Sequence, residues 1–189
     1  MIRLRLEVRF IVRTAILLAL TLVMQFAGFP QPITGPAVNA MLILSTIFVG
    51  PLGAIIIGCL TPWLAFLRGI MGFAPLIPYI MLANAIYVIC FYLVRQAIKK
   101  AFGATSQEGF ACSLKGFISG GCGVVVGALL KFLVLSSAVR FFIADVKPKI
   151  AQAMQLPQLF TALLGGAIAL IVATALVRSN ALKEWQTKR

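Results

Sequence analysis

The sequence predicts an all-α integral membrane protein, a bundle of six transmembrane helices with N- and C-termini both cytoplasmic. Three observations lead there. The 189-residue chain is 61% hydrophobic with a mean hydropathy of +1.05, more apolar surface than a soluble domain of this size can bury. Its apolar residues come in runs long enough to cross a bilayer, which takes roughly 20 residues as a helix. Its cations, seventeen Lys and Arg against four acids for a formal charge of +13, fall at the ends of those runs. There they set orientation and meet lipid headgroups, so nucleic acid is not an expected partner.

The same composition excludes much chemistry. Histidine is absent, and the acids are Glu7, Glu108, Asp145 and Glu184. Metal sites, acid/base pairs and catalytic triads need His or paired carboxylates, so no enzyme, metal or cofactor is expected. Cys59, Cys90, Cys112 and Cys122 lack CxxC spacing and lie in or beside apolar segments, which reads as reduced, structural thiols.

The first helix is expected over 9–29, behind Arg3, Arg5, Arg9 and Arg13. The run is too long for a signal-peptide core, and no A-x-A-like cleavage site follows it, so it reads as a retained transmembrane helix. Pro30 to Pro36 holds three prolines and a glycine and reads as a stiff loop. The apolar run Ala37 to Leu67 would be about 46 Å long as one helix, against a hydrocarbon core of roughly 30 Å. Gly50-Pro51 lies inside it and favours a turn, giving helices over 37–49 and 51–67. Charge supports the break, because one continuous helix would carry Arg95, Lys99, Lys100 and Lys115 to the side opposite the N-terminus. A Gly/Pro-rich outer loop spans Arg68 to Pro78, and the fourth helix spans 76–96. A basic cytoplasmic connection through Lys115 leads to the fifth helix, 117–142. An outer loop, with a short surface helix opened by Pro148, precedes the sixth, 157–178. Twelve cations then lie inside and four outside, with Lys131 left over.

Lys131 stands near the middle of the fifth run. A cation at that depth costs somewhere between about 3 and 10 kcal/mol. Gly120, Gly127 and Ala138 share its face at about 100° per residue, and small residues mark a face turned toward other helices. The lysine either reaches an interface or buried carbonyl, or faces a ligand in a membrane-embedded pocket. No acid in the membrane segments can pair with it. Arg140, nine residues on, points about 180° away and is placed to snorkel toward headgroups. In the first helix, Ala15 and Ala19 put two small side chains on one face. That is a docking surface if it faces outward and a packing contact if it faces inward.

A small hydrophobic chain with six apparent helices, basic ends inside, a Pro/Gly-rich loop after the first helix, short second and third helices, and A-x-x-x-A in the first helix resembles the substrate-binding S components of energy-coupling factor (ECF) vitamin transporters. The resemblance covers the whole chain as architecture, and only Ala15 and Ala19 carry over residue by residue. It implies a prokaryotic plasma-membrane protein that captures a small-molecule substrate at the outer face and delivers it with a transmembrane coupling subunit and two ATPase subunits. It also implies that Ala15 and Ala19 touch the coupling subunit. The chain has no GxxxxGK[ST] motif, so active uptake needs such ATPase partners. In that family the ligand lies among the fourth to sixth helices and neighbouring loops. Here that region offers Lys131, Asn84, Tyr87, Gln155, Gln158 and Thr161, an apolar setting with few orienting polar groups. The cation favours an anionic or acceptor-rich ligand. The alternative is a scaffolding protein of envelope assembly, in which those side chains only bond helix to helix.

Overall fold

The computed structural model describes residues 2–102, 114–143 and 146–179, with side chains from Glu7 in the first stretch and from Gly116 in the second. Most of the cytoplasmic connection expected between the fourth and fifth helices lies outside those residues, as do Asp145 and the cations that follow Arg178. Among the described residues the structure is helical throughout, with no strand. The helices are α1 (Ile2–Phe26), α2 (Gln31–Phe48), α3 (Pro51–Leu67), α4 (Ile77–Ala101), α5 (Leu114–Ser137), α6 (Pro148–Ala153) and α7 (Leu156–Arg178). A 3-10 turn, Ala74–Leu76, leads into α4, and a π turn, Ala138–Phe142, continues α5.

Three segments are long and apolar enough to cross a membrane, Ala74–Ala101, Gly116–Phe142 and Pro148–Arg178, and Pro51–Leu67 is a shorter apolar helix. The break at Gly50-Pro51 is present. Gly50 takes φ 115°, a left-handed conformation that strains any residue with a side chain, and Pro51 opens α3 where no N–H is needed. The N–H groups of Val49 and Gly50 both donate to the Ser45 carbonyl, closing the end of α2.

The proline-rich stretch differs from expectation. Instead of a loop, Gln31 onward is helix, with Pro30 at the N-cap, Pro32 in the first turn and Pro36 inside. Proline is tolerated in a first turn because its missing N–H would have no partner there, and the Thr34 hydroxyl donates to the Phe29 carbonyl at 2.8 Å to hold the start. This gives α2 eighteen residues, a length of roughly 27 Å.

Packing follows the small residues. α4 lies along α5 and α2 along α7, while α3 rests on α4 and α1 covers α2 and α3. The core between them holds Leu42, Ile43, Ile57, Tyr87, Val88 and Phe91, all fully buried. Gly165 of α7 is a point of close approach. A Cβ there would lie within 3 Å of the Pro36 carbonyl oxygen and of Asn39 Cβ, so a larger residue would drive α2 off α7. On α5, Gly127 faces the Tyr87 ring and Gly120 faces Leu170, which puts the Lys131 face inward as the spacing requires. The outward side of α1 is apolar, with Ile11, Val12, Ile16 and Leu20 exposed. Ala15 and Ala19 are exposed on it.

Candidate functional site

Pro62 interrupts α3 and has no N–H to give the carbonyl four residues back, that of Gly58. Asn84 of α4 takes that vacancy, its Nδ2 donating to Gly58 O at 2.8 Å. Gly58 itself allows the approach, since a Cβ there would press on Asn84 Cβ at 3.0 Å. With its nitrogen committed, the amide turns its oxygen toward α5, where Lys131 Nζ donates to Asn84 Oδ1 at 2.8 Å. A second amide does the same from the other side. Lys131 Nζ donates to Asn39 Oδ1 at 2.6 Å, and Asn39 Nδ2 reaches Thr161 Oγ1 at 3.5 Å. The Thr161 hydroxyl donates in turn to the Gln158 carbonyl at 3.1 Å. One polar chain thus crosses from α3 through α4, α5 and α2 to α7.

Lys131, at its centre, is 4% exposed, and its ammonium sits 5.5 Å from the centroid of the Tyr87 ring, within reach of a cation–π attraction. Tyr87 is held by its hydroxyl, which donates to the Ala162 carbonyl at 2.8 Å. An ammonium has three N–H donors. Two meet neutral amide oxygens, and Lys131 also lines a cavity of about 390 Å³. The cavity lies at the end of the bundle where α1 ends and α2 and α7 begin, and its walls are mostly apolar, among them Val38, Ala65, Phe73, Leu76 and Ile80. Lys149, Ile150 and Met154, from α6 and its C-terminal end, border it.

The residues singled out from sequence fall into distinct places. Lys131, Asn84 and Gln158 line the cavity. Thr161 stands behind Asn39, and Tyr87 lies under the ammonium with no surface of its own exposed. Gln155 sits apart from the cavity, accepting a bond from Arg140 Nη2 at 3.5 Å on the exposed surface. Three polar residues escaped the sequence reading. Asn39 is 2% exposed in α2, and an amide inside an apolar run was signal enough to flag it. Gln25 and Thr61 form a second polar spot on the wall, with Gln25 Nε2 donating to the Thr61 carbonyl at 3.2 Å. The buried Gln25 Oε1 and Thr61 Oγ1 have no hydrogen-bond partner among the described residues.

Among the described residues no group of three or more His, Cys, Asp or Glu could hold a metal ion. The groups converging here are amides, hydroxyls, the buried Lys131 ammonium and, at the border, Lys149, which can orient and neutralise a guest. The family described as ECF transporter, substrate-specific component matches residues 9–177 of the chain. No curated protein and no solved structure matches it.

Proposed function

This chain belongs to the substrate-specific components of ECF transporters, and on that premise we propose that it captures a vitamin-like small molecule in the Lys131 cavity. Members of this family are substrate-binding subunits of a transporter, not enzymes, and act with a membrane-embedded module of further subunits. The scaffolding alternative is not favoured by that membership.

The observation that carries the ligand reading is the setting of Lys131. A buried ammonium is tolerated when paired or hydrated, and here two neutral amides hold it at the wall of a cavity. Its remaining donor and its charge suit a carboxylate, a phosphate or an electron-rich carbonyl. Asn84 and Gln158 orient that guest, Thr161 steadies Asn39, and Tyr87 supports the ammonium from below. Gln155 stands outside the cavity, where it steadies the α6–α7 corner through Arg140.

The six long helices cross the plasma membrane of a prokaryote, with both termini cytoplasmic and the cavity outward. Charge supports this orientation. Arg9, Arg13, Arg95, Lys99, Lys100 and Arg178 gather at one end of the bundle, and Arg68, Arg140, Lys147 and Lys149 at the cavity end, in keeping with the positive-inside tendency. The exposed Ala15 and Ala19 give a transmembrane coupling subunit a close-approach surface, and two ATPase subunits supply the energy.

Mass spectrometry of compounds carried through purification identifies the ligand, and titration calorimetry with that compound tests the site. Lys131→Met keeps much of the stem and removes the charge, with an expected loss of about 2–5 kcal/mol of binding. Unchanged affinity in Lys131→Met would overturn the assignment of this lysine to ligand.

A further inference from the structure

Among the described residues every threonine but Thr61 commits its hydroxyl to a backbone carbonyl three to five residues back. That bond is the default for a threonine in a helix, where the carbonyl one turn back is always in reach. Thr61 lies inside α3, is 1% exposed and has no partner for Oγ1 among the described residues. Gln25, near the end of α1, is in a similar position. Its Nε2 donates to the Thr61 carbonyl at 3.2 Å, which fixes the orientation of the amide and leaves Oε1 buried and unpartnered. Buried polar atoms without partners are rare because they are costly. Here two occur at one place, on residues that line the Lys131 cavity beside the apolar Pro62, Ala65 and Leu76.

The two oxygens differ in what they accept. Gln25 Oε1 is an acceptor alone, whereas the Thr61 hydroxyl accepts or donates. A guest hydroxyl or carboxamide supplies a donor to the amide and meets the threonine in either role. A carboxylate has no donor and would set oxygen against oxygen. Both atoms are covered, so a guest reaches them by turning the half-buried Gln25 side chain. Along α3, Thr61 is three residues beyond Gly58, whose carbonyl holds Asn84, a rise of about 4.5 Å. The spot is thus about one helical turn along the wall from the amide that meets Lys131.

Taking the Lys131 cavity as the ligand site, we propose that Gln25 and Thr61 form a second, donor-reading subsite within it. The guest then carries a hydroxyl or carboxamide a few bonds from the group that meets Lys131. This narrows the substrate class to hydroxy or carboxamide-bearing acids and disfavours simple apolar acids.

Pentanoate and its 4-hydroxy and 5-hydroxy derivatives serve as probes, titrated at millimolar concentration onto the full chain in detergent and followed by saturation-transfer NMR. The better hydroxy acid should bind roughly three- to ten-fold tighter than pentanoate, the weight of one neutral hydrogen bond. Gln25→Leu and, as a near-isosteric second variant, Thr61→Val should each bring that ratio toward one, with circular dichroism checking that both are folded. Lys131→Met should weaken all three acids. No preference for either hydroxy acid in the parent, or a preference that survives both substitutions, would overturn the subsite. Pentanoate binding that still depends on Lys131 would in that case keep the cavity as the ligand site. Binding indifferent to Lys131→Met, or none by any of the acids, would overturn the cavity as the ligand site and the subsite with it.

Discussion

Lys131 and Lys99 each border a cavity, one at either end of the bundle, and the protein surrounds them differently. Around Lys131, two asparagines from different helices are fixed with their oxygens inward, each by a bond to something else. Around Lys99, a half-buried residue, no side-chain acceptor among the described residues is held against the ammonium. Depth accounts for the contrast. A cation in the hydrocarbon region needs fixed dipoles to replace lost water, whereas one near the headgroups snorkels and keeps its hydration. The polar network around Lys131 is therefore a condition for having a charge there at all, which makes the two ends respond differently to mutation.

The largest effect is expected from Asn84→Leu. It leaves the Lys131 charge with one amide and the Gly58 carbonyl without its donor, and removing one partner of a buried charge costs about 3–5 kcal/mol. Adding Lys131→Met should restore most of that loss, and thermal unfolding of the two single variants and the double measures the coupling. Additive losses would mean that the amide and the ammonium do not depend on each other.

Gly165→Ala should come next, at about 1–3 kcal/mol of overpacking where α2 and α7 meet beside Asn39. Gly121→Ala is its counterpart on α5, where an added Cβ meets nothing within 4 Å, and it should gain about 0.5–1 kcal/mol from helix propensity. A melting temperature that moves the same way in both would break the link between that close contact and stability. Thr61→Val has the opposite sign to most core changes. It replaces a buried hydroxyl that has no partner among the described residues by a methyl, so the ligand-free protein should be unchanged or stabilised by up to about 1 kcal/mol. Clear destabilisation would show that the hydroxyl is satisfied by water. Smallest of all, Lys99→Gln should leave unfolding in detergent within about 0.5 kcal/mol of the parent, since that lysine supports no packed layer.

How far the sequence disclosed this arrangement depended on whether a signal was local. The Gly50-Pro51 corner, the short helix after Lys147 and the inward turn of the Lys131 face all follow from neighbours within a few residues. Pro30 to Pro36 misled because three prolines argue for a loop, yet a first turn accepts them and α7 packs over Pro36. Asn39 stayed hidden for a related reason. Its importance comes from packing that brings α2 and α7 together at Gly165, a contact 126 residues apart in number. Tyr87 was legible as an aromatic beside Asn84, but its place beneath the ammonium depended on Gly127, an α5 glycine that lets the ring in.

Pro62 offers a guest no polar atom, yet it decides which end of an amide the guest's neighbour presents. Because the proline frees the Gly58 carbonyl, Asn84 has its nitrogen claimed and cannot rotate end for end without losing a bond. With an ordinary residue at 62, that carbonyl would be taken within its own helix and Asn84 could show Lys131 either face. A chemically silent residue thus fixes the sign of the cavity floor. Descendants of this chain could invert the polarity of their pocket by changing a helix defect, leaving every group that touches the ligand as it is.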